Sequence, residues 1–300
     1  MELGKLFIWI GSHIRHVVQV AFTLVTNGYM AGFTNGTIYT GASKAVCVPG
    51  LNCYSCPGAI GSCPIGTLQA VLGSRDFKFT FYIAGFLIFV GALIGKLVCG
   101  WLCPFGLLQD AIHKIPFVKK LRKLPGDRWL KYLKYGILVG FVILLPLLVT
   151  DIIGQGQPWF CKYICPSGTL MAGIPLVAAD PGLQDAAGGL FAWKIGILVV
   201  LVFLSIAVYR PFCRYLCPLG AVYGLFNKVS LYRLIVDEEK CTKCGACKKA
   251  CKLDIPVFEQ PNSPECIRCG ACKKACPNGA ICSTFEKWTR ERKGITNEEI

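Results

Sequence analysis

Four times in this chain a cysteine is followed by Pro-x-Gly: Cys63-Pro64-Ile65-Gly66, Cys103-Pro104-Phe105-Gly106, Cys165-Pro166-Ser167-Gly168 and Cys217-Pro218-Leu219-Gly220, each at one end of an apolar stretch. Three of the four have a second cysteine four residues earlier, at Cys99, Cys161 and Cys213. Proline suits the first position of a helix, where its missing N–H is not needed. Glycine two residues on lets backbone approach a bulky centre. Each motif therefore predicts a helix with a thiol at its mouth, and the fold has to bring such mouths together.

The chain around these motifs is 54% hydrophobic and only 16% charged, less charge than soluble domains usually carry. Four apolar stretches approach the roughly 20 residues that cross a bilayer: Val17 to Phe33, Phe79 to Gly95, Tyr135 to Thr150 and Leu190 to Tyr209. Gln19 and Asn27 interrupt the first, and the third ends at Asp151. Basic residues set the orientation. Lys114, Lys119, Lys120, Arg122, Lys123, Arg128, Lys131 and Lys134 lie between stretches two and three, whereas Asp151, Asp180 and Asp185 face a single Lys162 between three and four. Both termini and the middle loop are expected in the cytoplasm of a prokaryotic cell and the other two loops outside. The net charge of +15 then reflects topology, not nucleic-acid binding. No small-residue cleavage site of the signal-peptide kind follows Met1.

Nineteen cysteines against three histidines, clustered as CxxC and CxxxC, belong to metal centres and not to a disulfide scaffold. No CxxCH exists for c-type haem. Near the end, Cys241, Cys244, Cys247 and Cys251 are followed by Cys266, Cys269, Cys272 and Cys276-Pro277. This is the bacterial two-cluster run, in which the fourth cysteine of each run ligates the other cluster. One [4Fe–4S] cluster is expected on Cys241, Cys244, Cys247 and Cys276, the other on Cys266, Cys269, Cys272 and Cys251. Zinc knuckles are the bland alternative. Cys282 is left as a packed residue.

Each half of the remaining chain reads stretch, Cys-Pro-x-Gly, stretch, Cys-Pro-x-Gly, which makes two parallel repeats. The runs after the motifs, such as Thr67-Leu68-Gln69 and Leu107-Leu108-Gln109, are expected as amphipathic helices at the interface. The repeat brings Cys99 and Cys103 to Cys213 and Cys217 on the cytoplasmic face, four thiolates for one [4Fe–4S] cluster. On the outer face Cys161 and Cys165 meet the first loop, where Ala59 stands at the place of the missing cysteine. The expected ligands there are Cys56, Cys63, Cys161 and Cys165, with Cys47 and Cys53 left open as a disulfide, spare ligands or part of another centre. The bland alternative is that these cysteines simply pack in apolar surroundings.

Trp101, Trp129 and Trp159 suit an interfacial belt. His13, Arg15 and His16 suit the mouth of the first stretch. The run Lys119–Lys123 is read as topology, with contact to anionic lipid or an acidic partner as the alternative. Lys248, Lys249, Lys273 and Lys274 border the tail clusters, either as a solvated face or as a docking surface for an acidic carrier.

Through Cys99-Gly-Trp-Leu-Cys103-Pro, Cys213-Arg-Tyr-Leu-Cys217-Pro and the tail runs, the chain resembles the membrane polyferredoxin family, which includes NapH-type, NosR-type and CcoG-type proteins. The resemblance covers nearly the whole chain, and it lacks the large outer flavin-binding domain of the NosR type. It implies electron movement between a cytoplasmic or quinone donor and a partner outside.

The expectation is thus an α-helical membrane protein with four transmembrane helices in two parallel repeats and interfacial half-helices. A C-terminal α+β two-cluster ferredoxin domain completes it. Residues 1–229 form the membrane domain (repeats about 1–125 and 126–229), 230–284 the ferredoxin domain and 285–300 a polar tail. Four [4Fe–4S] clusters would carry electrons from a ferredoxin-like cytoplasmic donor to an outer partner such as a flavoprotein, within a redox complex in the cytoplasmic membrane. A membrane subunit of a quinol dehydrogenase and a metal-reducing assembly factor are the alternatives.

Overall fold

The computed structural model describes residues 2–74, 77–116, 120–152 and 154–292, with side chains described for these except 2–12, 77–78 and 290–291. Lys119 of the basic run and the last eight residues of the expected tail lie outside the described residues.

The chain is mostly helical. Helix α1 (Glu2–Thr26) opens it. The stretch expected to run from Val17 to Phe33 breaks at Asn27. There the Asn27 amide donates back to the Thr23 carbonyl at 3.0 Å, and the Tyr29 N–H turns away to the Gly58 carbonyl at 3.1 Å. An internal side chain that competes for helix carbonyls, followed by glycine, ends the helix.

Helices α2 (Pro64–Ser74), α3 (Phe77–Ile94), α4 (Pro104–His113), α5 (Asp127–Leu148), α6 (Pro166–Ala179), α7 (Gly189–Ala207) and α8 (Pro218–Phe226) follow. Two of them, α5 and α7, are long and apolar enough to cross a membrane; Phe79–Ile94 and Pro166–Ala179 are apolar but shorter. Both long helices turn large apolar side chains outward: Leu133, Val139, Leu144 and Leu148 on α5, and Val199, Val200 and Phe203 on α7. Water disfavours such rows, and lipid does not. Helix α3 ends where Gly95 takes φ +50°, a conformation glycine adopts at no steric cost.

The four motif helices α2, α4, α6 and α8 begin at the prolines, as the pattern predicts. Cys103, Cys165 and Cys217 cap α4, α6 and α8 in extended conformation, with proline at the first turn. The first turns of α2 and α4 face inward: Pro64, Ile65, Gly66 and Gln69, and likewise Pro104, Phe105, Gly106 and Gln109, are buried.

The C-terminal lobe holds a two-stranded antiparallel sheet, β1 (Leu234–Val236) and β2 (Ile281–Ser283), with Cys282 opposite Ile235, and helix α9 (Thr284–Arg292). Read from sequence as a separate tail, this lobe is tied into the helical domain by buried polar groups. Glu265 sits between Lys96, at 3.2 Å, and Lys134. Arg268 donates to the carbonyls of Ile94 (2.9 Å) and Asn227 (2.8 Å) and to the Ser230 hydroxyl (2.8 Å). The Asn227 amide donates to the carbonyls of Ser263 and Cys266, and its oxygen accepts from the Lys96 N–H. Trp101 takes part in this joint: its indole donates to the Arg268 carbonyl at 3.0 Å. A Cβ on Gly100 would fall 2.2 Å from the Ile267 carbonyl oxygen, so only glycine permits this approach.

Candidate metal centres

In the lobe, Cys241, Cys244, Cys247 and Cys276 line one cavity, closed by Phe258 and Ile281. Cys244 is exposed, and Lys243, Lys248 and Lys249 around it face solvent. Hydrogen bonds, first from the Ala246 N–H and then from Thr242, hold the Cys244 thiol below its ordinary value. Lys273 differs from its neighbours by pairing with Glu286.

The second lobe set lies against the helical domain. Burial pushes the Cys272 thiol up to about 12, with Cys266, Cys269 and Cys251 adding to the rise, and burial pushes Cys266 up to about 11. Both tight loops place a non-glycine residue at positive φ, Lys243 and Arg268, each just before a cysteine. That is the curvature needed to aim several thiols at one point.

The third set is the deepest. Cys99, Cys103, Cys213 and Cys217 are each only 4–5% exposed. Burial pushes Cys99 up to about 12 and Cys213 to about 11. Cys103 and Cys213 add to the rise at Cys99, and Cys213, Cys99 and Cys103 to that at Cys217. Lys96 and Arg210 oppose the rise at Cys99. Arg210 stands at φ +51°. Its guanidinium grips Asp110 with two bonds of 2.6 Å and also donates to the Cys99 carbonyl. Arg15 adds a 2.9 Å ion pair to the same carboxylate.

The fourth set lies around the first loop. Cys53, Cys63, Cys161 and Cys165 line a single half-open cavity of about 360 Å³, together with Tyr54, Lys162 and Lys194. Cys56 is not among its lining residues; its sulfur faces the Asn27 side-chain oxygen at 3.7 Å. Burial pushes Cys53 and Cys63 up to about 12 and Cys165 to about 11. In the turn at Cys53–Ala59 the Cys56 and Ala59 N–H groups bond back to the carbonyls of Cys53 and Cys56. Cys47 is buried beside Ser62, apart from this cavity lining.

Tyr223, fully buried on α8, has its ionisation opposed by burial first and then by the thiols of Cys99, Cys63, Cys47 and Cys103. Its hydroxyl donates to the Pro49 carbonyl at 3.1 Å. The next residue, Gly50, lies against Cys103: a Cβ there would sit 3.2 Å from the Cys103 Cα. The first loop therefore dips inward until it meets the third set.

Among the described residues no three ligating side chains converge tightly enough to hold a single metal ion. Four thiols spread around a centre are instead the donor set of an iron–sulfur cube, one per iron. Lysine and arginine beside the third set suit the negative charge of such a thiolate cluster.

Sequence reasoning missed Gln69 and Gln109. Each stands six residues after its motif cysteine, and that shared spacing was the available signal. The Gln69 amide donates to Cys161 Sγ at 3.3 Å while its oxygen accepts from the Phe160 N–H at 2.9 Å. The Gln109 amide donates to Cys213 Sγ at 3.1 Å while its oxygen accepts from the Phe212 N–H at 3.2 Å.

A family model described as a 4Fe–4S binding domain matches three times, at residues 79–125, 135–177 and 183–235. Each match holds one complete Cys-x3-Cys-Pro motif. A second model of the same description matches residues 234–256, across the first ferredoxin run. An uncharacterized protein of Methanocaldococcus jannaschii is 28% identical over 69% of this chain and 70% of its own length. The putative electron transport protein YccM of Escherichia coli is 30% identical over 57% of this chain and 45% of its own. The ferredoxin-type protein NapH of Haemophilus influenzae is 27% identical over 55% of this chain and 50% of its own. The chain thus spans about half the length of the last two. No solved structure matches.

Proposed function

We propose, from the premise that this chain belongs to the polyferredoxin family of 4Fe–4S-binding electron-transport proteins, that it conducts single electrons across a prokaryotic cytoplasmic membrane. The reading is supported by the grouping of the cysteines that the cavities and burial outline, taken in the following order. Cys241, Cys244, Cys247 and Cys276 are the set nearest solvent, ringed by exposed lysines. Cys251, Cys266, Cys269 and Cys272 stand next, where Ile267 meets Gly100. Cys99, Cys103, Cys213 and Cys217 are the buried middle, and Cys53, Cys63, Cys161 and Cys165 line the half-open cavity at the far end. Clusters held by these thiolates would supply one-electron carriage.

In this reading α3, α5, α7 and the α1 region cross or enter the membrane, with the lobe in the cytoplasm. The lysines around Cys244 receive an acidic donor such as a ferredoxin. A redox partner outside, a flavoprotein for instance, exchanges electrons at the cavity of Cys53 and Cys165. The test is Cys103→Ser in sealed vesicles. The lobe clusters should stay reducible by a cytoplasmic donor while reduction of an acceptor on the far side stops. Unchanged transfer would take the middle set off the path.

A second reading, quinol oxidation, has one observation in its favour. An apolar cavity of about 520 Å³ lies between α1 and α4, lined by Val17, Val20, Leu24 and Leu107 with His13, His16 and Lys114 at its polar end. An apolar slot with a few convergent polar groups suits a quinone head group. Loss of electron flow on quinone depletion would select this reading over a ferredoxin donor.

A further inference from the structure

We infer that Gln69 and Gln109 are a matched pair of positioning residues, each setting the reduction potential of one helical-domain cluster by donating a hydrogen bond to a ligand sulfur. The inference rests on the proposal that Cys161 and Cys213 hold clusters, and it adds what nothing in the family assignment supplies. Both side chains are buried, Gln69 completely and Gln109 to 98%, so neither bond competes with water.

The amide orientation follows from the chemistry of the neighbours. On one side of each glutamine lies a backbone N–H, of Phe160 or Phe212. A backbone N–H can only donate, so the glutamine oxygen must face it. The NH₂ group is then forced toward the sulfur one residue further on, Cys161 or Cys213. A flipped amide would set donor against donor on one side and oxygen against a thiolate on the other. The same side chain thus fixes the backbone in front of the cysteine and solvates its sulfur.

The two sites repeat one design. Each glutamine comes from the helix of one Cys-Pro-x-Gly motif, α2 or α4, and reaches the first cysteine of the motif in the other repeat. The second cysteine of the reached motif, Cys165 or Cys217, takes its hydrogen bond from its own motif glycine, Gly168 or Gly220, at 3.4 Å. Both sulfurs of each pair therefore receive an N–H. Reduction adds negative charge to the cluster and its thiolates, so an N–H···S bond stabilises the reduced form more and raises the potential.

The test is an EPR-monitored redox titration, with dithionite as reductant, of anaerobically purified full-length protein carrying Gln109→Leu or Gln109→Glu. Glutamate keeps an oxygen for the Phe212 N–H but brings a negative charge, and no amide, to Cys213. Removing the donor should shift the reduction equilibrium of one cluster about tenfold toward the oxidised form, about 59 mV for one electron. The potential should fall in the order wild type, Leu, Glu, with the lobe clusters unmoved and iron content unchanged. Gln69→Glu should lower the potential of the other helical-domain cluster instead. Glu restoring the wild-type potential would reduce the glutamine to a backbone prop, and potentials equal in all variants would likewise overturn the inference. Wild-type protein without any signal beyond the two lobe clusters would sink the underlying cluster assignment, a result readily told apart from either.

Discussion

Glu265→Gln is the sharpest perturbation of the joint between lobe and helical domain. The Glu265 carboxylate neutralises two ammonium groups, Lys96 and Lys134, whose side chains are 1% and 0% exposed. The two lysines come from different parts of the helical domain, and Glu265 immediately precedes a cysteine of the second lobe set. Removing one partner of a buried ion pair typically costs about 3–5 kcal/mol, because the charge left behind has no water. Here one carboxylate serves two cations, so the upper part of that range applies. If the whole cost falls on docking, the joint opens roughly three to three and a half orders of magnitude more often. Amide hydrogen exchange of Ile267 and Arg268 should accelerate by that factor in detergent-solubilised protein of matched iron content. Reduction of the middle set through the lobe should slow in parallel. The triple variant Lys96→Met, Glu265→Leu, Lys134→Met removes all three charges and should recover protection, as apolar replacement of whole buried pairs often does. Exchange within about twofold of wild type in Glu265→Gln would refute the reasoning.

Other outcomes follow from the same geometry. Gly100→Ala places a methyl 2.2 Å from the Ile267 carbonyl oxygen and should undock the lobe, seen as the same exchange increase without any change of charge. Tyr223→Phe deletes the 3.1 Å bond to Pro49 and should cost about 0.5–1.5 kcal/mol in thermal unfolding, with slower electron transfer from the middle set to the far set in rapid-mixing experiments. Asp110→Asn tests a carboxylate that burial would push up but the Arg210 and Arg15 guanidiniums hold down at about 2. The folded value lies below that of an unfolded aspartate, so its contribution of about 2–3 kcal/mol is fully present above about pH 5 and lost only as pH falls through 4 toward 2. Between pH 6 and 8 the destabilisation of Asp110→Asn, read by chemical denaturation, should therefore be constant; a strong pH dependence there would contradict the assignment.

What could be read from the sequence was whatever a local pattern encodes. The Cys-Pro-x-Gly motifs announced helix starts because proline and glycine act on their own backbone, and α4, α6 and α8 begin where they stand. The two ferredoxin runs announced their tight loops because a short loop of fixed spacing presents its thiols together, and Cys241, Cys244 and Cys247 line one cavity, with Cys276 beside them. Long-range choices were hidden. Nothing near Cys53 or Cys56 says which thiol lines the cavity; Cys53 does, while the Cys56 sulfur faces Asn27, a residue far away in sequence. Asn27, legible in the sequence as an interruption of the Val17 to Phe33 stretch, is where α1 breaks. The anchoring of the ferredoxin domain was hidden because Glu265 and Arg268 are ordinary surface residue types until Lys96, Lys134 and the Ile94 carbonyl are brought to them. The glutamine pair was visible only as a repeated spacing of six, without meaning until the sulfurs were in place.

The central claim, four clusters in series within one chain, is tested most directly by iron and acid-labile sulfide content, with EPR of the dithionite-reduced protein, on anaerobically purified material. The account requires about sixteen irons and as many sulfides per chain, with signals beyond those of the two lobe clusters. About eight irons, with lobe signals alone, would leave the helical-domain cysteines without clusters and contradict it.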